Sequence, residues 1–195
     1  MTAQRRCKLV DQHPETRLWR VQALVDIRPG VSKGDIGGWV EGEHNLSQDM
    51  QDTAWVYGEA VIKGQARISG KAKVCGQAKV CGQARVSGSA EIRGEALVMG
   101  QARVSGLVTI RGQARISGKV RVSKVCLHIQ QPIFNMTAMD SHLAIGCQVH
   151  TWDTWLGKDF LTKLGKEYAY TSQQIRETRA LIRVFHRQVQ RMSQS

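Results

Sequence analysis

The chain has 195 residues, with 28 basic against 16 acidic side chains and a formal net charge of +12. No apolar run approaches a membrane span, and the first ten residues carry Arg5, Arg6 and Lys8 with no apolar segment behind them, so neither a transmembrane segment nor a secretory leader is expected. Five scattered cysteines, an odd number, do not form a disulfide framework and predict a cytoplasmic protein.

Residues 1–51 hold seven basic and seven acidic residues, a net charge of zero, and are expected to form an N-terminal β cap. Trp19, Val21, Ala23, Val25 and Ile27 alternate as one face of a strand, and Cys7–Val10 is placed to pair with it across a turn containing Pro14. Gly34, Gly37 and Gly38 lie in a capping loop, because no Walker lysine or strand–glycine–helix context accompanies them. Trp39 and Val40 are expected to cover the open end of the repeat region that begins at Asp52.

From Asp52 to Ser123 glycine recurs every six residues, from Gly58 to Gly118. A small apolar residue, nearly always alanine, follows two positions later, and Ile or Val two after that. The hexad Gly-x-Ala-x-Val-x is a strand period, since residues two apart share a face. Glycine turns the chain between strands; an α-helix needs a 3.6-residue period and tolerates few glycines. Aligned at eighteen residues, Gly-Gln-Ala-Arg-Ile-Ser (64–69) recurs as Gly-Gln-Ala-Arg-Val-Ser (82–87 and 100–105) and Gly-Lys-Val-Arg-Val-Ser (118–123). The expected fold is an all-β solenoid with an α-helical C-terminal region, a parallel β-helix of three hexapeptides per coil and about four coils. These coils hold twelve basic and four acidic residues, net +8.

Residues 124–195 carry nine basic and five acidic residues, net +4. Val125, Leu127 and Ile129 alternate as a last strand, Pro132 turns the chain, and Ile133–Met139 with Leu143–Val149 reads as a hairpin. A short helix over 152–163 carries Trp152, Trp155, Leu156 and Phe160. Thr171-Ser-Gln-Gln174 is a capping-box pattern that starts a long helix. Ile175, Thr178, Ile182, Phe185, Val189 and Met192 form its apolar face, expected to pack on the prism or on another copy. Arg176, Arg179, Arg183, Arg187 and Arg191 form the opposite stripe.

The hexad resembles the repeat of left-handed parallel β-helix proteins, the superfamily that contains many acyl-CoA-dependent acyltransferases. The segment Gly34-Asp-Ile-Gly-Gly-Trp-Val-Glu-Gly-Glu-His-Asn-Leu-Ser-Gln48 is similar to the lead-in of bacterial and prophage hexapeptide-repeat proteins. Leu143-Ala-Ile-Gly-Cys-Gln-Val-His150, followed by Trp155, is similar to their C-terminal region. The resemblance spans most of residues 17–185 and implies left-handed winding and a homotrimer.

The superfamily's enzymes mostly place a histidine base in or beside the coils. Here residues 52–123 contain no histidine and no interrupting loop. Only His44 and His128 are placed to reach a groove on the prism, and a base must reach the proton it abstracts. The histidine cluster that would hold zinc in the superfamily's carbonic anhydrases is absent from the coils. Cys126, His128, His142, Cys147 and His150 are the right residue types for zinc, but cysteine also buries readily as a small hydrophobe and a structural hairpin is expected.

Arg67, Arg85, Arg103 and Arg121 fall at one position of successive coils, about 4.8 Å apart. Gln65, Gln83 and Gln101 flank them on one side, and Ser69, Ser87 and Ser105 on the other. Like charges opposed across strands are destabilising, so this row, with Arg176, Arg179, Arg183 and Arg187 on the last helix, is the expected anion-binding surface. The expected function is a non-catalytic binding or scaffold protein without cofactor whose partner is an acidic protein or a nucleic acid. The alternative is an acyl-CoA-dependent acyltransferase using His44 or His128 at a subunit boundary.

Overall fold

A computed structural model describes residues 5–124, 126–130, 135–146 and 148–194. Val125, Pro132, Ile133 and Cys147, named among the sequence expectations, lie outside the described residues. β1 (Cys7–Gln12), β2 (Trp19–Ala23) and β3 (Ile36–Val40) precede twelve two-residue strands, β4–β15, that run from Trp55–Val56 to Arg121–Val122. β16 (Cys126–Gln130), β17 (Asn135–Met139), β18 (His142–Ile145) and β19 (Gln148–Thr151) lead to α1 (Trp152–Leu156), α2 (Phe160–Glu167) and α3 (Ser172–Gln194).

The middle of the chain is a parallel β-solenoid of about five turns. Strands eighteen residues apart pair in parallel, Lys79 with Leu97 and Glu91 with Thr109 for example. They form three walls: β3-β5-β8-β11-β14, β4-β7-β10-β13 and β6-β9-β12-β15. The alanine and Ile/Val positions are buried throughout, Ala66, Ala84 and Ala102 at 0% exposure. Every repeat glycine has positive φ. At Gly82 a Cβ would come within 3.0 Å of the Gly100 nitrogen, so only glycine stacks on glycine at these corners.

One turn more forms than the repeats alone supply. Val40 pairs with Ile62 and is fully buried, while Trp39 pairs with Val61 and stacks outside under Arg20, 4.0 Å from its guanidinium carbon. Leu46 bridges Ile68 in parallel. Trp39 and Val40 therefore extend the first wall instead of covering the end.

The end is closed by side-chain donors. In this ladder most N–H groups between coils donate to the following coil, as from Arg85 to the Ala102 carbonyl at 2.9 Å and from Ser87 to the Val104 carbonyl at 2.9 Å, so the first coil presents mainly carbonyls without partners. Arg6, 1% exposed, donates at 2.6 Å to each of the Ser47, Asp52 and Ala54 carbonyls. Its planar fork of N–H groups suits three acceptors at once, although burial lowers its pKa. Asn45, also buried, donates to the Gly64 and Ala66 carbonyls and accepts from the Glu41 and Gly42 N–H groups. β1 and β2 continue the first wall as an antiparallel pair, Cys7 opposite Ala23.

At the other end the antiparallel sheet β16-β17-β18-β19 closes the prism. Its two faces divide the cores: Met139 and Ala144 join the solenoid core, whereas Met136, Ala138, Leu143 and Ile145 pack with Trp152, Trp155, Ile182 and Phe185. α3 thus docks on this sheet and on α1 and α2. The capping box forms: the Gln174 N–H donates to Thr171 Oγ1 at 3.2 Å, and the Thr171 N–H to Gln174 Oε1 at 2.7 Å. Among the described residues no helix is long and apolar enough to cross a membrane.

Candidate anion-binding site

The third wall places the arginines directly opposite one another, Arg67 with Arg85, Arg85 with Arg103 and Arg103 with Arg121. Behind each lies a buried Ile or Val, and the strand alternation points each guanidinium outward; all four are exposed. The Gln ladder runs beside them, with Gln101 Nε2 donating to Gln83 Oε1 at 3.2 Å. Gln65 is exposed, and Ser69, Ser87 and Ser105 are half-buried along the other side.

The other walls differ at the same outward position. The first carries Trp39, Val61, Lys79, Leu97 and Arg115, and the second Trp55, Lys73, Glu91 and Thr109. Acids there are engaged: Glu59 accepts from Arg20 and from the Trp39 indole, which hold its carboxyl below the usual range, and Glu91 lies 3.7 Å from Arg93. Among the described residues no acid lies within ion-pairing distance of Arg67, Arg85, Arg103 or Arg121.

Two concavities lie along the arginine wall. One of about 370 Å³ is bounded by Arg85, Arg103, Arg121 and Lys119. The other, about 500 Å³, is bounded by Arg67, Arg85, Ser69, Ser87 and His44. It opens because Asn45, one rung before Arg67, turns inward, so no outward side chain fills that place.

The arginines of α3 do not join this surface. Arg176, Arg183 and Arg187 are exposed on the helix, but none lines either concavity. Arg179 is committed to its own subdomain, donating to the Lys158 carbonyl at 3.1 Å and to Thr162 Oγ1 at 3.2 Å. The middle of α3 instead borders the second wall, where Val184 and Phe185 face Thr109 and Arg111.

His44 does edge the wall. Its Nε2 lies 2.8 Å from the Gly64 carbonyl, which can only accept, so Nε2 carries the proton and Nδ1 is the basic nitrogen. That nitrogen lies against its own turn, where a Cβ on Gly42 would come within 2.8 Å of it. His128 lines neither concavity of the arginine wall. Its Nδ1 is 2.9 Å from Thr137 Oγ1, its Nε2 is enclosed without a partner among the described residues, and burial lowers its pKa. The ring lines a separate cavity of about 250 Å³ between the second wall and α3, with Thr109, Arg111, Val184 and Phe185.

The candidate zinc ligands are split by the sheet. Cys126, His128 and His142 share the face toward the solenoid by pairing register. His150, opposite Leu143, projects to the other face against Trp155 and Phe160. Cys126 is half-buried, and desolvation pushes its thiol up to about 12, so it is held as a neutral thiol. Among the described residues no three His, Cys, Asp or Glu side chains cluster to hold a metal; Cys147 lies outside them.

No family model matches the chain, and no curated protein matches it.

Proposed function

We propose that the protein is a non-catalytic binding or scaffold protein whose arginine wall holds an anionic macromolecule. The observation that carries this reading is the direct pairing of Arg67, Arg85, Arg103 and Arg121 without an intervening acid. Folding alone gains nothing from that arrangement. Opposed like charges cost up to about 1 kcal/mol a pair, and the same hexad position carries Glu, Thr, Val or Leu on the other walls. The partner is an acidic protein or a nucleic acid. The outward ladder holds no aromatic side chain to stack on bases, so a nucleic acid would be held by its phosphates.

The same reading takes the solenoid as left-handed, with three hexads to each coil, and the protein as a cytoplasmic homotrimer of bacterial or prophage origin. The eighteen-residue register supports the three-hexad coil; the handedness, assembly and origin rest on the resemblance. Replacing Arg85 and Arg103 with Gln keeps outward residues of fitting length. The double variant should fold as the parent does and lose most of its capture of nucleic acid or acidic host proteins, read by mobility shift and pull-down. Equal capture by both proteins would reduce the wall to a duplicated repeat.

Acyl transfer is the second reading, favoured by one observation: His44 edges a groove of about 500 Å³ beside Arg67. Titration with acyl-CoA tests it. Saturable binding that weakens in His44→Ala would support an enzyme, and no binding would remove it.

A further inference from the structure

We infer that the C-terminal part of the arginine wall is a separate site for a condensed phosphate, a short linear run of phosphoryl groups joined by anhydride bonds; this rests on the anion-binding reading of the wall. The repeat breaks at its last rung. The position two residues before each arginine is Gln65, Gln83 and Gln101 on three rungs, but Lys119 on the last. Lys119 lies in the bend just before β15 and Arg121 on that strand, and both line the same concavity. Arg85 and Arg103 follow on the preceding rungs at strand spacing. The concavity of about 370 Å³ thus gathers four cations, and no acid lines it.

Its size is in the range of small-molecule sites, and its charge decides the ligand class. Four carboxylates of an acidic protein would have to converge here, each on its own side chain and each repelling the others. A condensed phosphate brings comparable charge in one compact chain, because a terminal phosphate carries about −1.5 to −2 and each bridging phosphate adds one more. Guanidinium forks bind phosphate oxygens in pairs. The Gln83 and Gln101 amides, fixed to each other at 3.2 Å, leave further N–H donors along the same line.

The nearest acid beyond the last rung is engaged with backbone. Asp140 Oδ2 accepts from the Ser123 N–H and hydroxyl, each at 2.7 Å, and Asp140 also accepts from the Lys124 N–H. It closes the solenoid end without lining the concavity. The other groove has two arginines, a histidine and hydroxyls, and includes Glu43 in its rim. The charge is densest at the Lys119 rung.

The test is calorimetric titration of the full chain with inorganic tripolyphosphate, with orthophosphate and adenosine triphosphate as separate arms. Lys119→Gln restores the residue of the other rungs and leaves the fold intact. Lys79→Gln removes an equal charge from the first wall. Tripolyphosphate should bind the parent at one site per chain and weaken about tenfold in Lys119→Gln, with little change in Lys79→Gln and much weaker binding of orthophosphate. Adenosine triphosphate binding as tightly as tripolyphosphate would assign the site to nucleotide phosphates, and much weaker binding would assign it to inorganic chains. Equal affinity in the parent and Lys119→Gln, or equal losses in Lys119→Gln and Lys79→Gln, would overturn the site. The wall reading would survive that result if Arg85→Gln with Arg103→Gln still abolished capture of nucleic acid or acidic protein, and would fall with it if capture were unchanged.

Discussion

The two ends of the solenoid set opposite chemical problems. Because most N–H groups between coils donate to the next coil, the first coil ends mainly in carbonyls and the last mainly in N–H groups, and neither can be left buried without a partner. The chain meets the first end with donors: Arg6 on three carbonyls, Asn45 on two, and Arg28 on Thr53 and Lys71. It meets the second with an acceptor, the Asp140 carboxylate on Ser123 and Lys124. The donor bias of this ladder therefore matches its caps, side-chain donors where carbonyls emerge and a carboxylate where N–H groups do.

The largest test of this contrast is at Arg6. Arg6→Ala removes the donor from three carbonyls and should cost about 3–5 kcal/mol, since each buried unsatisfied group costs about 1–3 kcal/mol and water relieves part of it. Chemical unfolding followed by circular dichroism measures the loss as a lowered midpoint at unchanged slope. Arg6→Lys keeps the charge, but one ammonium cannot span three acceptors, so it should recover less than half. A midpoint that stays at the parent value in Arg6→Ala would mean that the end needs no plug.

The repeat was legible because it is periodic. Glycine, alanine and Val/Ile spacing gave strands, turns, core and the eighteen-residue register before any coordinates, and the arginine row followed from that alignment. The caps were not legible, because each acts once and through a side chain whose type suits many roles. Arg6 reads as one basic residue among several near the start, and Asn45 as a polar residue in a loop. The extra turn was hidden for the same reason. Gly38-Trp-Val40 puts glycine where alanine belongs, and Asn45-Leu-Ser47 has no outward residue to mark its rung. His150 and Cys126 are both residue types suited to zinc, but strand pairing places the two on opposite faces of one sheet. Spacing along a chain does not reveal which hairpin register holds.

Asp140 should matter less than Arg6. Asp140→Ala removes a charge-assisted acceptor from Ser123 and Lys124, but both are exposed and water can replace it, so the expected cost is about 1–2 kcal/mol. The sign of the cap gives a sharper comparison. Asp140→Lys should be worse than Asp140→Ala at low salt, because it sets a cation against emerging N–H groups. If the lysine variant is as stable as the alanine variant, ladder polarity does not govern the cap.

The smallest expected effect concerns the wall itself, where charge is placed against stability instead of in its favour. At both ends the chain matches each charge to the groups it meets, yet Arg85 and Arg103 oppose each other and their neighbours. Arg85→Gln with Arg103→Gln should therefore raise stability at low salt, by about 0.5–1 kcal/mol. Strand spacing of about 4.8 Å is shorter than the screening length of about 10 Å at 0.1 M salt but longer than the 3 Å reached at 1 M. The gap between variant and parent should thus persist at moderate salt and close near 1 M. Unfolding midpoints of the two proteins across that range measure it. A variant that gains stability while losing capture of polyanions would identify the row as a feature retained for binding at the expense of folding. A gap of zero at every salt concentration would mean that the guanidiniums splay far enough to avoid one another, and that the wall carries no stored repulsion for a partner to relieve.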